Sequence, residues 1–523
     1  MPLLLALAKI LLHLPALNQY GIFVDEYYYI ACSERLAWGY VDHPPLAVFV
    51  LSAIRALFGE SIFALRIPVM LIGAGTVFLS GMMAREIGGG RFAQATAALA
   101  IIAAPIYPGV DKFFTTNSFE IFYWTLAIYL LLRILNRENA PGVMWFALGC
   151  VLGAGLLNKH SMLFLGFGVG VALLATGERR RLLGRGPYIA GAVAFAIFAP
   201  HILWQFANDW PTLEFMDNAR RHKNYFALGE FVSAQILQQH PLLLPLWFGG
   251  LLYFAFARAA LRFRMIAWIY ISLFALFVAM QGKTYYLSPI YPVLYAGGAV
   301  WLERGLEFAA AKSRPNQTAN TVLRSLQTGV LILIALGGAA LAPLSLPLLS
   351  PENYLAYERF LGLKAPKLEK QALSKMPQHF ASMFGFPDQS GAAIEVFQSL
   401  SPEEREHAVV LGRSYGFAGS VEYSARRQGL EIPVVSGHNN FYLWSLAKLR
   451  SFSEGPVFGK SGMIIVALGF DEERLQKYFA DVRPAGTVRC EYCLSNATEI
   501  TIYVCRGPRL SPVEILDDLR NFI

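Results

Sequence analysis

The feature that most constrains this chain is a succession of long apolar runs in its first 350 residues. Each run approaches the roughly 20 residues that an α-helix needs to cross a bilayer. Of the 523 residues, 55% are hydrophobic and 15% are charged, a composition that excludes a water-soluble enzyme. We therefore predict a polytopic α-helical membrane protein with about eleven transmembrane helices. The predicted spans lie at 2–19, 62–84, 92–109, 114–135, 142–157, 161–176, 187–205, 241–258, 265–281, 287–303 and 325–349.

The last third of the chain has a different pattern. Residues 1–350 contain 16 of the 36 Asp and Glu residues, and the remaining 20 follow within 173 residues. Short apolar strands alternate there with amphipathic helices, which predicts a small soluble α/β domain at 351–523 after a membrane domain at 1–350. The predicted strands lie at 408–412, 432–435, 463–468, 488–490 and 500–504, and the predicted helices at 417–428 and 471–479.

Basic residues indicate the orientation of the membrane part. Most of its Lys and Arg residues lie in alternate connectors, which the positive-inside rule assigns to the cytoplasm. The net charge of +8 therefore gives no reason to expect a nucleic-acid partner. The other connectors would face outward, and an odd number of spans would place the C-terminal domain outside as well. The basic connectors contain Arg85, Arg91, Arg133, Arg137, Arg179, Arg180, Arg181, Arg185, Arg258, Arg262, Arg264, Arg304, Lys312, Arg314 and Arg324.

The first apolar run lacks a basic start and carries Lys9 in its middle, so we interpret it as a transmembrane helix rather than a cleaved signal peptide. Between the first two spans, residues 27–38 and 46–58 mix apolar and polar side chains at helical spacing. This pattern predicts two interfacial helices in the first outer loop.

Adjacent carboxylates at a membrane surface are costly, so Asp25 and Glu26 are the first candidate catalytic residues. An alternative is that the pair caps the helix that follows. Capping does not account for Asp42 and His43, which precede two prolines and are candidate substrate-binding residues.

A second candidate group lies at the outer start of the fourth span. Asn117 and Glu120 are three residues apart and share a helix face, and Asp111 precedes them. An acidic residue one turn inside a membrane helix needs a partner, so we predict that Glu120 faces a cavity and takes part in catalysis, whereas Asp111 and Asn117 bind substrate. The alternative interpretation is helix capping by Asn117 with a buried, neutral or paired Glu120.

Cations in the outward connectors form a third group. The positive-inside rule predicts few basic residues in outward connectors, so those found there point to an anionic ligand such as a phosphate. The alternative, contact with lipid head groups, is equally plausible for Arg220. The basic residues of this group are Lys159, His160, Arg220 and Lys283, and Tyr285 and Tyr286, which follow Lys283, are further candidate substrate-binding residues.

Three further features leave alternatives open. His438 lies in a loop after a predicted strand, with no nucleophile arrangement around it, so we expect a structural or acceptor-contact role. No cofactor is required by the pattern, although Asp25, Glu26, Asp42 and His43 could together hold a divalent cation. Cys490, Cys493 and Cys505 could form one disulfide, with the pairing open.

Seven motifs together resemble the C-type glycosyltransferase superfamily, in particular the bacterial branch of glycosyltransferase family 39 that includes protein mannosyltransferase-like and aminoarabinose transferase-like enzymes. The likeness covers almost the whole chain. The motifs are VDEYYY at 24–29, WGYVDHPPL at 38–46, LRIP at 65–68, FTTN at 114–117, GLLNKH at 155–160, KTYYLSPIYP at 283–292 and SGHNN at 436–440.

The resemblance implies a polyprenyl-phosphate-linked sugar donor, a lipid, glycan or protein hydroxyl as acceptor, and inversion at the anomeric carbon. It also implies a multi-pass protein of the bacterial inner membrane, surrounded by membrane lipids, with its active site and C-terminal domain on the periplasmic side. By the family pattern Asp25 is the catalytic base. Many relatives have Asp where this chain has Asn117, so a second acidic function would fall to Glu120 or Asp111, or be absent.

Two other functions are compatible with parts of the pattern. A flippase or transporter of lipid-linked sugars predicts functional charges spread through the depth of several spans, whereas the charges here cluster at the outer ends. A non-catalytic envelope assembly protein would use the α/β domain for docking and would not depend on Asp25.

Overall fold

The computed structural model describes residues 1–312, 317–362, 372, 374–453 and 463–523. They belong to two compact units. The first comprises Met1–Gln19, Phe58–Leu203 and Asn224–Leu368, and the second comprises Tyr20–Leu57, Trp204–Lys223 and Glu369–Ile523. The second unit thus combines the C-terminal region with two loops of the predicted membrane part. The predicted domain boundary at residue 350 stays a prediction.

The first unit is helical, with a core of apolar side chains contributed by most of its helices. All eleven predicted spans coincide with helical segments. The helices are α1 (Pro2–His13), α4 (Ile62–Glu86), α5 (Arg91–Ala103), α6 (Ile106–Val110), α7 (Thr116–Leu135), α8 (Gly142–Asn158), α9 (Met162–Ala175), α10 (Gly186–Ala207), α12 (Leu228–Leu237), α13 (Leu244–Phe256), α14 (Arg264–Ala279), α15 (Tyr291–Lys312), α16 (Gln317–Ser345) and α17 (Pro351–Leu361).

Several of these helices are shorter than the apolar runs that predicted them. Within the described ranges, five helices are long and apolar enough to span a bilayer, or six if a helix pair bent by 106° after residue 175 counts as one span. The run predicted at 92–109 shows why, because Ala104 precedes Pro105 and leaves the helical conformation there. The helical backbone conformation is disfavoured for a residue that precedes proline. The membrane architecture is confirmed in outline, and the count of eleven spans stays a prediction.

The second unit contains the two helices predicted between the first two spans and the C-terminal α/β fold. The predicted helix at 27–38 lies earlier, at 24–33, and the helix at 46–58 is found as predicted. The helices are α2 (Val24–Ser33), α3 (Leu46–Phe58), α11 (Pro211–Asn218), α18 (Gln378–Ala381), α19 (Phe386–Ser399), α20 (Pro402–Glu406), α21 (Tyr415–Arg427), α22 (Asn440–Ser453), α23 (Glu472–Gln476) and α24 (Pro512–Asp518).

A five-stranded mixed sheet organises this unit. Its strands are β1 (Ala408–Gly412), β2 (Val434–Val435), β3 (Ile464–Leu468), β4 (Phe479–Arg489) and β5 (Glu499–Pro508), in the order β2-β1-β3-β5-β4. β1 pairs in parallel with β2 and β3, whereas β5 runs antiparallel to β3 and β4. The buried first three strands follow the predicted apolar runs.

The edge strand β4 corrects one prediction. The helix expected at 471–479 ends at Gln476, and the chain enters β4 at Phe479. After the buried Phe479, the side chains of β4 are half-buried or exposed, so most of the strand lacks the continuous apolar run that identified β1 and β3. Beyond its end, Cys490 and Cys493 form a disulfide, while Cys505 is a buried free thiol.

Candidate functional site

Asp25 lies in the first turn of α2 and is half-buried. Its Oδ1 accepts a hydrogen bond of 2.8 Å from the hydroxyl of Tyr415, the first residue of α21. A carboxylate in the first turn of a helix is stabilised by the helix dipole. The structure therefore fixes the Asp25 carboxylate from two sides, by its own helix and by a residue nearly four hundred positions later.

Two glycines allow α21 to approach α2 closely. A Cβ at Gly416 would lie 2.4 Å from the Val24 side chain, and a Cβ at Gly419 would lie 3.1 Å from Tyr27. A bidentate pair at 2.7 and 3.1 Å joins Glu422 of α21 to Arg35, which lies just after the end of α2. Bidentate pairs of this kind fix orientation as well as distance.

Glu26, in contrast, caps its own helix. The side chain is fully buried, and its Oε2 accepts a 2.8 Å hydrogen bond from the Phe23 backbone N–H. This bond satisfies one of the amides that the start of a helix leaves without a partner. Glu26 thus has the structural role given as the alternative for this pair, and its predicted catalytic role stays a prediction.

Asp42 repeats the arrangement of Asp25. Its Oδ1 accepts a 2.7 Å hydrogen bond from the Tyr28 hydroxyl. Burial, and next the Asp42 carboxylate, raise the pKa of Tyr28 well above its ordinary value, so this hydroxyl stays a donor. The neighbouring His43 is buried beside three tyrosine rings and donates through Nδ1 to the Pro44 carbonyl at 2.9 Å.

The two tyrosines belong to one aromatic column. The rings of Tyr28 and Tyr415 stack at 4.8 Å, and Tyr415 stacks in turn on His438 at 4.6 Å. His438 Nδ1 accepts from the Tyr415 backbone N–H at 3.2 Å, and its Nε2 lies 3.0 Å from the Ile523 backbone oxygen. Burial lowers the pKa of His438 to about 4, so the imidazole is neutral at neutral pH. We call Asp25, Asp42, Tyr28, Tyr415 and His438 the Asp25 cluster.

Tyr415 is the residue that sequence reasoning missed. A tyrosine at the start of a helix in the α/β region has no local feature that distinguishes it from a packing residue. The motif at 436–440 was the clue in the sequence, because Asn440 also contacts the segment between α2 and α3 and accepts a hydrogen bond from the Val41 N–H at 2.6 Å. This contact fits the structural role expected for the His438 loop.

A second polar cluster lies in the first unit. Lys159, between α8 and α9, donates to Asn117 Oδ1 at 2.5 Å and to Glu120 Oε2 at 2.6 Å. The other Glu120 oxygen accepts a hydrogen bond from Ser161. The sequence prediction that Asn117 and Glu120 share a face is confirmed, and Glu120 has the partner that its position demands. We call these four residues the Lys159 cluster.

Aromatic rings and a histidine pair lie near this cluster. The Lys159 ammonium lies 6.0 Å from the ring centroids of both Tyr285 and Tyr286, within the range of cation–π attraction. The half-buried Lys283 immediately precedes this segment. His160 Nε2 lies 2.9 Å from His201 Nε2. Four of the predicted substrate-binding residues, namely Asn117, Lys159, Tyr285 and Tyr286, are thus brought together.

Asp111 and Arg220 have different surroundings. Asp111 forms a 2.5 Å ion pair with Lys9, and both side chains are buried. Gly73 makes room for this carboxylate, since a Cβ there would lie 2.1 Å from Asp111 Oδ2. Arg220 is exposed on the π-helical turn Ala219–Lys223 of the second unit. The predicted ligand contacts of both residues stay predictions.

No group of three or more His, Cys, Asp or Glu side chains within the described ranges is arranged to hold a metal ion. In the Asp25 cluster, the Asp25 and Asp42 carboxylates accept from tyrosine hydroxyls, and Glu26 caps its helix. The divalent cation considered from the sequence stays a prediction.

Comparison with known proteins agrees with the resemblance drawn from the motifs. A family profile described as dolichyl-phosphate-mannose-protein mannosyltransferase matches residues 42–204, which include Asn117, Glu120 and Lys159. The lipid A galacturonosyltransferase RgtD of Rhizobium johnstonii is 28% identical over 219 residues, 39% of this chain and 45% of that protein. An undecaprenyl phosphate-alpha-4-amino-4-deoxy-L-arabinose arabinosyl transferase of Pseudomonas paraeruginosa is 26% identical over 38% of this chain and 39% of its own length. The matched regions thus span less than half of these relatives.

Solved structures show the same fold over nearly the full length. ArnT from Cupriavidus metallidurans in the apo state aligns with a TM-score of 0.61 at 17% identity, covering 98% of both chains. The archaeal oligosaccharyltransferase AglB from Archaeoglobus fulgidus aligns with a TM-score of 0.53 at 13% identity, over 90% of this chain and 69% of that one. These likenesses confirm the predicted fold class in outline, a helical membrane protein with a small C-terminal sheet, and the count of eleven spans stays a prediction.

Proposed function

We propose that this chain is a membrane glycosyltransferase that moves a sugar from a polyprenyl-phosphate-linked donor to a hydroxyl of a lipid, glycan or protein. The named relatives transfer galacturonic acid or aminoarabinose, and the ArnT structure has also been determined bound to undecaprenyl phosphate. The whole-chain likeness of fold supports carrying this chemistry over, and the partial identity leaves the sugar and the acceptor open.

The observation that carries the proposal is the placement of Asp25. A general base must hold its carboxylate in a fixed direction while remaining accessible to the proton that it removes. Asp25 meets both conditions, because it is half-buried and is oriented by the Tyr415 hydroxyl. In the proposed step, Asp25 takes the proton of the acceptor hydroxyl as the acceptor oxygen bonds to the anomeric carbon.

The bond from the anomeric carbon to the phosphate oxygen breaks on the opposite face, which inverts the configuration. The leaving group is a lipid phosphate, whose negative charge needs cations rather than a protonating acid. The Lys159 cluster supports this role, because the Lys159 ammonium is held by two side-chain oxygens beside two tyrosine rings and the Lys159 side chain is 23% exposed. Lys283 and Arg220 are further proposed phosphate contacts.

We also propose that transfer takes place at the outer face of the bacterial inner membrane. The distribution of Lys and Arg between connectors supports this orientation, because the Asp25 and Lys159 segments belong to the set with few basic residues. The acceptor would then be an exported molecule.

The decisive experiment compares a strain that lacks the protein with the same strain expressing the full chain or the Asp25→Asn variant. Mass spectrometry of envelope lipids, glycans and proteins identifies the modification that depends on the full chain. Because loss of a general base costs roughly 10² to 10⁴ in rate, Asp25→Asn should abolish that modification while inserting normally.

The matched control is Asp517→Asn. Asp517 also accepts from a tyrosine hydroxyl, Tyr442, at 2.7 Å, but it lies exposed on α24. This control should restore the modification fully. If the full chain restores no glycosyl modification, or if Asp25→Asn restores it at a near-normal rate, the proposal is wrong. The second outcome would favour a flippase or an assembly protein.

A further inference from the structure

The aromatic column of the Asp25 cluster joins the first outer loop to the C-terminal α/β fold within one compact unit. We infer that Tyr415 and His438 are positioning residues for the Asp25 carboxylate, so that the α/β fold takes part in catalysis by orienting the base. This inference rests on the proposed function and extends it to residues that the chemistry itself does not require.

The Tyr415 hydroxyl orients the Asp25 carboxylate through a hydrogen bond. A tyrosine hydroxyl can donate only one hydrogen, and the Tyr415 hydroxyl lies 2.8 Å from Asp25 Oδ1. A hydrogen bond to an ionised group is stronger than one between neutral groups. The bond therefore favours the ionised carboxylate and limits its rotation about the side-chain torsions.

Tyr415 is itself held in place by two rings and a backbone hydrogen bond. Its ring is stacked between Tyr28 and His438, at 4.8 and 4.6 Å, and its backbone N–H donates to His438 Nδ1. Because Nδ1 accepts, the ring proton is on Nε2, which donates to the Ile523 backbone oxygen. His438 therefore acts as a neutral bridge, and its pKa of about 4 keeps it so under physiological conditions.

Packing does not account for the hydroxyl groups of Tyr28 and Tyr415. Stacking alone would be served by phenylalanine, yet the hydroxyls of Tyr28 and Tyr415 each reach a carboxylate, Asp42 and Asp25 respectively. The Arg35–Glu422 pair and the glycine contacts already fasten α21 to α2. The Tyr415 hydroxyl is therefore not needed to join the helices.

The test removes this hydroxyl and measures the dependence of transfer on pH. The enzyme is the full-length chain in detergent, and the probe is an envelope extract of the strain that lacks it, which contains both donor and unmodified acceptor. Tyr415→Phe keeps both ring stackings. We expect the rate to fall about tenfold and the acidic limb of the pH profile to move up by about one unit, because the carboxylate loses a charge-assisted hydrogen bond.

The direction of this movement is distinctive. A base that ionises less readily needs a higher pH to act, whereas a purely structural defect would lower the rate without moving the limb. Other titratable groups stay in place in Tyr415→Phe and cannot produce the movement. On α2, α21 and the segments that contact them, these groups are Glu26, Tyr28, Arg35, Asp42, His43, Glu422 and His438.

The control is Tyr442→Phe, which removes a tyrosine hydroxyl from the exposed Asp517 and should leave rate and profile unchanged. A second pair of variants tests the bridge. In His438→Asn the amide oxygen can replace Nδ1 as acceptor for the Tyr415 N–H, whereas His438→Leu removes the acceptor. We expect His438→Asn to be several times more active than His438→Leu.

The outcomes separate the two proposals. If the full chain shows no transfer to the extract, the proposed function fails. If the full chain is active and Asp25→Asn is inactive, the proposed function stands. The positioning role is nevertheless wrong if Tyr415→Phe keeps the acidic limb of the wild-type pH profile and His438→Asn is no more active than His438→Leu.

Discussion

Two lysine–carboxylate pairs in the first unit have similar chemistry but different surroundings. Lys9 and Asp111 form a pair in which the side chains are 0% and 5% exposed, whereas Lys159 and Glu120 are 23% and 7% exposed. Lys159 is also shared with Asn117, and Glu120 is also bonded to Ser161.

The difference separates a structural ion pair from a candidate ligand site. If a fully buried lysine turned from its carboxylate to a ligand, the carboxylate would remain buried without a compensating charge, which is costly. Lys159 remains accessible to a ligand, and Glu120 retains the Ser161 donor if Lys159 turns to a phosphate. The sequence left Asp111 and Glu120 as alternatives for the second acidic function, and their surroundings distinguish them.

The largest expected effect is on stability, in Lys9→Met. This change leaves the Asp111 carboxylate buried without its cation, which should cost about 3–5 kcal/mol in the free energy of unfolding. Unfolding by sodium dodecyl sulfate in mixed micelles measures it. Combining Lys9→Met with Asp111→Leu should recover most of the loss, because no buried charge remains. Wild-type stability of the single variant would contradict a structural pair.

The next effect is on activity, in Lys159→Met. We expect transfer to the envelope extract to fall roughly 10²-fold, as when one stabilising donor is removed from a developing negative charge. The free energy of unfolding should fall by only about 1–2 kcal/mol, because Glu120 keeps its Ser161 hydrogen bond.

Lys159→Arg is the matched variant for this site, since it keeps the charge and should retain more activity than Lys159→Met. The comparison between the two pairs breaks down if Lys159→Met destabilises the protein as much as Lys9→Met while the surviving folded fraction transfers at the wild-type rate.

The smallest effect is expected for Ser161→Ala. This variant removes one hydroxyl donor to Glu120 and should lower the free energy of unfolding by about 0.5–1.5 kcal/mol. Ser233→Ala, at an exposed serine bonded to the Glu230 carbonyl, should change it by less than about 0.5 kcal/mol. Equal losses in the two variants would show that Ser161 adds nothing to the Lys159 cluster.

Much of the fold could be predicted because apolar periodicity is local. The strands β1 and β3 were predicted almost to the residue, and α3 was found at the predicted bounds. The errors occur where local chemistry interrupts a run, as at Ala104 before Pro105, or where an edge strand such as β4 lacks a continuous apolar stretch.

The site was predicted in part. The spacing of Asn117 and Glu120 gave their common face, and the cost of an acid in a membrane helix predicted a partner. The identity of that partner as Lys159, 39 positions later, could not follow from spacing. Likewise, Asp25 was found from its unusual position, whereas Tyr415 required the packing of α21 on α2.

The sequence by itself determined that this chain forms membrane helices followed by an α/β fold, because hydropathy and periodicity act over neighbouring residues. It also determined which polar residues are too costly to be incidental. Only the tertiary structure decided how those residues are paired: Asp111 with Lys9, Glu120 with Lys159 and Asp25 with Tyr415. The physical reason is that hydrogen bonds and ion pairs depend on distances of about 3 Å between side chains far apart in the chain, and packing sets those distances.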